Sequence, residues 1–161
     1  MRIRSDLAFV FPGQGSQYVG MCDSLETELV TLKYRFEVGS HFLDEDLWKL
    51  IKTGPIETLN QTQFTQPALL ATNVAFFDTW IKYGGVFPKY MAGHSLGEYA
   101  ALVCAGILDY EKAMSIVAKR AQLMQEAVPT GVGAMAAVIG LSQKDLDDIC
   151  VKISVDTGLV V

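Results

Sequence analysis

The residues best suited to covalent chemistry lie in segment 93–97, which reads G-H-S-L-G. A short apolar run at 90–92 precedes it and a helix-like stretch from Glu98 follows it, which is the strand–turn–helix context of a nucleophile elbow. Such a turn holds the serine in a strained backbone conformation, and the flanking glycines let neighbouring chain pass close by. The pattern predicts that Ser95 is a nucleophile, with a Gly/Ser loop that merely caps a helix as the alternative.

The chain offers no well-placed base for this serine. A serine hydroxyl is a poor nucleophile without a base, which is usually a histidine. The two histidines are His41 and His94. His94 is adjacent to Ser95, and neighbours across such a turn point apart, whereas His41 follows a helix-like segment and is expected to have a surface or packing role. The sequence therefore predicts a serine enzyme that lacks part of its machinery.

A second glycine loop, at 12–17, reads P-G-Q-G-S-Q and follows an apolar run at 7–11 that we expect to be a buried strand. It does not fit a phosphate-binding loop, because no Gly-Lys-Ser/Thr follows and Tyr18 stands where a dinucleotide fingerprint needs Gly or Ala. An amide between two glycines suits donation to a reacting carbonyl. The side chain or the backbone N–H of Gln14 would then join the backbone N–H of Leu96 in an oxyanion hole. A plain tight turn is the alternative.

Arg120 lies in an otherwise apolar-faced stretch of a predicted helix, one turn after Ile116. An arginine on a helix is usually solvated, which is one interpretation here. The other is that Arg120 faces the elbow, where its planar guanidinium would suit bidentate binding of a carboxylate.

Composition narrows the class of protein. Of the 161 residues, 50% are hydrophobic and 19% are charged, which favours one well-buried α/β domain. The net charge of −5 and the lack of a basic cluster argue against nucleic acid or an anionic membrane as partners. No segment has the length of a signal peptide or a membrane span. The three cysteines are far apart and lack metal-ligand spacing, so we expect reduced thiols, no metal site and a cytoplasmic protein.

Predicted strands and helices alternate along the chain, which is typical of a parallel sheet with covering helices. Beyond the strands at 7–11 and 90–92, the patterns predict strands at 135–139 and 151–155. The predicted helices lie at 24–38, at 44–52, from Thr65 (with Pro67 in the first turn) to the glycines at 84 and 85, from 98 to 104, from Asp109 to 128, and at 142–150.

Five motifs together resemble the malonyl-CoA:acyl-carrier-protein transacylase family. They are F-P-G-Q-G-S-Q at 11–17, T-Q-P-A at 65–68, G-H-S-L-G-E-Y at 93–99, R-A-Q-L-M-Q at 120–125 and G-A-M-A-A-V at 133–138. The resemblance runs from about Leu7 to about Cys150. It implies an α/β subdomain at 1–130, with a parallel sheet, covering helices and the serine elbow, and the start of a ferredoxin-like small subdomain at 131–161.

The resemblance also implies an activity, which is transfer of malonyl from malonyl-CoA to the phosphopantetheine thiol of acyl carrier protein in fatty acid biosynthesis. Ser95 would carry the malonyl ester, the backbone N–H groups of Gln14 and Leu96 would form the oxyanion hole, and Arg120 would pair with the malonyl carboxylate. The route is ping-pong and needs no cofactor besides the coenzyme A thioester, which is the substrate. Leucine at position 96 resembles malonyl-preferring members, whereas methylmalonyl-preferring relatives often carry glutamine there.

The chain departs from this family in length. Members are much longer and carry their histidine base, and a further glutamine, well downstream. We therefore expect a truncated chain that ends inside the small subdomain, with a second polypeptide as a possible source of the missing half. One alternative is a non-catalytic remnant that binds acyl-CoA or carrier protein. Another is a serine hydrolase in which Asp156 would pair with Ser95.

Overall fold

The computed structural model describes residues 3–24, 29–127 and 138–158, with side chains for all of these except 29–31. The chain divides into two compact units, Met1–Pro129 and Thr130–Val161. The described elements of the first unit are β1 (Ile3–Phe11), α1 (Leu29–Leu43), α2 (Leu47–Thr53), α3 (Ile56–Leu59), α4 (Thr62–Lys82), β2 (Phe87–Gly93), α5 (Leu96–Cys104) and α6 (Tyr110–Ala127). The second unit contains α7 (Gln143–Thr157).

Strands β1 and β2 pair in parallel. The register aligns Ala8 with Tyr90 and Phe11 with Gly93, so the two strands end side by side. Because parallel strands point the same way, the loop after β1 and the turn after β2 emerge at the same edge, where open α/β sheets bind their ligands. The predicted parallel sheet with covering helices and a serine elbow is confirmed.

Both strands begin earlier than the sequence predicts. β1 begins at Ile3 and not at Leu7, and β2 begins at Phe87 and not at Tyr90. The register pairs Ile3 with Phe87. Polar residues at 4–6 interrupt the apolar run on which the prediction depended, but backbone pairing with a neighbouring strand does not require apolar side chains.

Helix α4 lies at the centre of the core of the first unit. Every residue from 65 to 75 is buried, so this stretch is covered on all sides and not along one stripe. The helix packs against α1, α5 and α6. On its sheet side, the Phe77 ring meets Phe9 and Phe87 edge to face, with centroids 5.6 Å apart in both pairs.

The start of α4 corrects a prediction. The helix begins at Thr62, so Pro67 is its sixth residue and does not lie in the first turn. Residues 62 and 63 are polar and give no periodic signal, which is why the prediction began the helix at Thr65. Proline at this depth lacks the N–H that would bond the Gln63 carbonyl.

The predicted start of α6 at Asp109 is confirmed. The Asp109 carboxylate accepts the backbone N–H of Lys112 at 3.0 Å, which is the N-cap bond expected of aspartate. Helix α2 starts later than predicted, at Leu47, because Asp46 acts as its N-cap and accepts the Lys49 N–H.

In the second unit, the strand predicted at 151–155 is wrong. These residues belong to α7, which has Ser142 as its N-cap and Gly158 in the left-handed conformation after its last residue. The side chains of Val151, Ile153 and Val155 are exposed. Their alternation resembles a strand, but two end caps define a helix instead. Of the strand predicted at 135–139, residues 135–137 lie outside the described residues, and 138–139 are not in a strand.

Candidate active site

Ser95 occupies a strained turn between β2 and α5. Its backbone has φ 53° and ψ −104°, a conformation that residues with a side chain rarely adopt. Strain of this kind costs on the order of 1–3 kcal/mol and persists only where the surroundings enforce it. Ser95 directly precedes Leu96, the first residue of α5, and is exposed to solvent. A serine presented in this way at a helix start has the geometry of a nucleophile elbow.

The two glycines of the motif allow the backbone to come too close for a side chain. A Cβ at Gly93 would overlap the carbonyl of Gly97, and a Cβ at Gly97 would overlap the carbonyl oxygen of Phe11. The elbow is therefore folded tightly on itself and pressed against the end of β1.

The loop that follows β1 lies against this elbow. The His94 N–H donates to the Phe11 carbonyl at 3.1 Å. A Cβ at Gly13 would lie 2.6 Å from the His94 carbonyl oxygen and 3.0 Å from its Nδ1. Gln14, next along the loop, is thus brought beside the residues that flank Ser95.

Among the described residues, the backbone N–H groups of Leu96 and Gln14 have no hydrogen-bond acceptor. As the first residue of α5, Leu96 has no intrahelical partner for its N–H. The Gln14 N–H donates to no other group in the part of the chain that the structure describes. By contrast, the side-chain amide of Gln14 donates to Thr62 Oγ1 at 3.0 Å. The arrangement suits an oxyanion hole built from main-chain donors.

Arg120 faces the elbow and is not a freely solvated arginine. Its Nη2 donates to Ser95 Oγ at 2.9 Å, and its Nη1 donates to Gln66 Oε1. The guanidinium carbon also lies 5.9 Å from the centroid of the Tyr99 ring, within the range of a cation–π contact. A half-buried cation therefore stands beside the hydroxyl of the strained serine.

Gln66 is the residue of this site that the sequence analysis missed. It is 1% exposed, accepts a hydrogen bond from Arg120, and donates through Nε2 to Met124 Sδ at 3.2 Å. The motif T-Q-P-A at 65–68 contains the signal, although the pattern by itself predicts only a helix start. A glutamine so deeply buried needs partners for both ends of its amide, and α6 supplies them.

Neither histidine bonds to Ser95 in the described part of the chain. His94 packs its ring against Gly13. His41 lies in the last turn of α1, which continues to Leu43 and does not end near residue 38 as predicted. Its side chain is exposed and lines a surface groove with residues of α1 and α2.

The two buried thiols, Cys22 and Cys104, are unreactive at neutral pH. Burial raises the pKa of Cys22 to about 11 and that of Cys104 to about 12, so both are protonated at neutral pH and poor nucleophiles.

Across 3–24, 29–127 and 138–158, no cluster of three or more His, Cys, Asp or Glu residues could hold a metal ion. No helix among these residues is long and apolar enough to span a membrane. Asp156, the partner in the hydrolase alternative, is an exposed residue of α7.

Sequence similarity relates this chain to a known protein family and to named relatives. The family model of the acyl transferase domain matches residues 8–161. The malonyl CoA-acyl carrier protein transacylase of Escherichia coli (strain K12) is 50% identical over 146 residues, which are 91% of this chain and 47% of that protein. The corresponding protein of Haemophilus influenzae is 52% identical over 144 residues, covering 89% and 46%.

Solved structures of similarly named proteins also superpose on this chain. The malonyl CoA-acyl carrier protein transacylase of Coxiella burnetii superposes with a TM-score of 0.84 at 53% identity, over 93% of this chain and 48% of that one. A malonyl-transacylase in complex with its type II polyketide synthase acyl-carrier protein has a TM-score of 0.83 at 47% identity, over 99% and 50%. The chain spans about half the length of the relatives it matches.

Proposed function

The chain belongs to the acyl transferase domain family, and we propose that it carries the serine-bearing half of a malonyl-CoA:acyl-carrier-protein transacylase. In this proposal malonyl passes from malonyl-CoA to Ser95 and then to the phosphopantetheine thiol of acyl carrier protein, in fatty acid synthesis in the cytoplasm. The observation that carries it is the 2.9 Å contact between Arg120 Nη2 and Ser95 Oγ. A nucleophile and a carboxylate-binding cation in one site suit an acyl group that ends in a carboxylate.

In the first step, Ser95 Oγ attacks the thioester carbonyl of malonyl-CoA. The carbon–sulfur bond then breaks, coenzyme A leaves as the thiol, and a malonyl ester remains on the serine. In the second step, the carrier-protein thiol attacks the ester and restores the serine hydroxyl. No cofactor is needed, because the thioester already activates the acyl group.

Each carbonyl attack places negative charge on an oxygen, and this is the charge that the main-chain donors are suited to hold. In the proposal, the N–H groups of Leu96 and Gln14 donate to that oxygen at the positive end of α5. Losing one such donor typically costs about 2.7–4 kcal/mol of transition-state stabilisation.

Arg120 selects the acyl group. When malonyl-CoA binds, Nη2 donates to an oxygen of the malonyl carboxylate in place of the Ser95 hydroxyl. Nη1 continues to donate to Gln66. Because Gln66 is neutral, it orients the guanidinium without cancelling its charge.

The proton of the Ser95 hydroxyl needs an acceptor. The relatives are about twice as long as the part matched here, and the proposal assigns the base to their unmatched half, on the same or on a second polypeptide. A chain without that base would acylate slowly.

The test is intact-protein mass spectrometry of the purified chain after incubation with malonyl-CoA. We expect one malonyl group on the wild type and none on Ser95→Ala, because no other hydroxyl occupies the elbow. Ser115→Ala, which removes an exposed serine of α6, is the control and should acylate normally. A malonyl group recovered on Ser95→Ala overturns the assignment of the nucleophile. Release of malonate without an adduct indicates a hydrolase, and neither adduct nor release indicates a non-catalytic remnant.

A further inference from the structure

A chain of side-chain hydrogen bonds ties the Gln14 loop to two helices. Gln14 Nε2 donates to Thr62 Oγ1 at 3.0 Å, and the Thr62 N–H donates to Gln125 Oε1 at 3.0 Å. Thr62 is the first residue of α4, so its N–H has no acceptor within its own helix. Gln125, near the end of α6, provides that acceptor and thereby fixes the position of the threonine.

We infer that Thr62 and Gln125 are positioning residues, which hold Gln14 by its side chain so that its backbone N–H points at the reacting carbonyl. This inference rests on the proposed function, because it deepens the role given there to the Gln14 N–H. The sequence left open whether the side chain or the main chain of Gln14 donates to substrate. Because the bond to Thr62 directs the side-chain amide toward the start of α4, we assign the oxyanion donor to the main-chain N–H.

The glycines on either side of Gln14 explain why its position in the loop needs restraint. Gln14 lies between Gly13 and Gly15, and Gly15 has φ 105°, a conformation that a glycine adopts readily. Two glycines leave the flanking peptide planes free to rotate unless something else restrains them. Ser16 Oγ donates to the Gly13 carbonyl at 2.8 Å, and the Gly15 N–H donates to Gln17 Oε1 at 2.8 Å, so each of the two peptides has one bond of its own. The bond from the Gln14 side chain to Thr62 is the restraint that ties the loop to α4 at this residue.

The loop is held on both sides of Gln14 as well. Asn73 Nδ2 donates to the Pro12 carbonyl at 3.2 Å, and Gln17 Nε2 donates to Asn60 Oδ1 at 2.7 Å. These bonds fix where the loop lies, and the bond to Thr62 holds Gln14 itself in place within the loop. A donor fixed before the reaction needs no reorganisation when charge develops.

Two substitutions remove the anchor while keeping the shape of the site. Thr62→Val keeps the branched side chain but loses the oxygen that accepts from Gln14, and Gln125→Leu removes the acceptor of the Thr62 N–H. We expect each to slow acylation of Ser95 by malonyl-CoA about 10–100-fold, since misplacing a catalytic group by about 1 Å costs on the order of 10²-fold. The Kd for malonyl-CoA should stay unchanged, because Arg120 is not touched.

Three controls separate positioning from folding. Gln125→Glu keeps an oxygen acceptor and should retain the wild-type acylation rate. Gln122→Leu changes a glutamine one turn earlier on α6, and among the described residues its side chain bonds to Lys119 and Glu126 of the same helix. This variant should have no effect. The thermal unfolding midpoint of each variant shows whether it is folded.

A second measurement does not depend on acylation. In ¹⁵N-labelled protein, Thr62→Val should shift the side-chain amide signals of Gln14 and speed hydrogen exchange of its backbone N–H. Unchanged signals, or wild-type acylation in both Thr62→Val and Gln125→Leu, overturn the inference while leaving Ser95 as the nucleophile. A wild-type chain that is never acylated overturns the proposed function instead, and the NMR result then decides alone whether Gln14 is anchored.

Discussion

The guanidinium of Arg120 is held on three sides. Gln66 accepts from one nitrogen and Ser95 from another, and the guanidinium carbon lies over the Tyr99 ring, 5.9 Å from its centroid. Gln66 is itself buried and bonded to Met124, so the cation is oriented before any substrate arrives. A bound carboxylate then need displace only the bond to Ser95, which also frees the serine for attack.

At this scale we expect Arg120→Ala to weaken binding of malonyl-CoA much more than binding of acetyl-CoA. A charge-assisted hydrogen bond contributes about 1.5–3 kcal/mol, which corresponds to roughly a 10–150-fold rise in Kd for the carboxylated substrate alone. Isothermal titration calorimetry with both thioesters measures the difference. Lys119→Ala is the matched control, because Lys119 is the neighbouring cation of α6 and is exposed. Equal losses for both thioesters would show that Arg120 is only structural.

At the scale of elements, the parallel pairing of β1 with β2 assembles the site. It ends both strands at one edge and sets the Gln14 loop beside the elbow. The first turn of α5 then packs directly on the end of β1, through the contact of Gly97 with the Phe11 carbonyl. The helix start, the serine and the loop therefore form one rigid cluster of backbone.

Gly97→Ala should break this cluster. The added methyl group would overlap backbone, which cannot move aside as a flexible side chain can. We expect a loss of about 1–3 kcal/mol in the free energy of unfolding, measured by urea denaturation, together with loss of the Ser95 adduct.

Gly106→Ala is the comparison for that experiment. Gly106 has φ 73° with open space around it, so alanine there costs only backbone strain of about 1–2 kcal/mol. Gly106→Ala should lower the free energy of unfolding, and Ser95 of this variant should still be acylated. A Gly97→Ala protein that acylates at the wild-type rate would contradict the packing argument.

At the scale of the whole molecule, the first unit exposes apolar side chains on its sheet and central helix. Val10 of β1 is 74% exposed, and Phe76 and Trp80 of α4 line a groove of about 370 Å³ beside it. Exposed apolar surface of this kind favours association.

The chain also spans about half the length of its relatives, and among its described residues no histidine bonds to the serine.

We therefore expect the purified 161-residue chain to transfer malonyl to acyl carrier protein slowly and to self-associate. Lacking a positioned base typically costs on the order of 10²–10⁴-fold in rate. Adding the separately produced unmatched half of the Escherichia coli relative should raise the transfer rate and reduce the self-association. The transfer rate is measured with protein from a host whose own transacylase has been removed. Self-association is measured as the molar mass from light scattering.

Two results would contradict this expectation. Transfer by the chain alone at about 1–10³ s⁻¹, the range of a complete enzyme, would return His94 or His41 to the role of base. A monomeric chain would show that the exposed apolar surface is tolerated in water.

The sequence by itself determined the features that lie in contiguous residues. The elbow at 93–97, the glycine loop at 12–17 and the cap at Asp109 are each defined by a few neighbouring positions, whose backbone requirements are local. The alternation of strands with helices, and from it the parallel sheet, also followed from short-range patterns. This is why the fold class was predicted correctly while the limits of single elements were not.

Only the tertiary structure decided which side chains meet. The bonds of Arg120 to Ser95 and Gln66 span 25 and 54 positions, and that of Gln125 to Thr62 spans 63. Each depends on the face that α6 turns toward α4 and toward the elbow, which helical periodicity suggests but does not fix. The strand predicted at 151–155 failed for a related reason. An apolar alternation becomes a strand only when another strand pairs with it, and here the caps at Ser142 and Gly158 close a helix over the same residues.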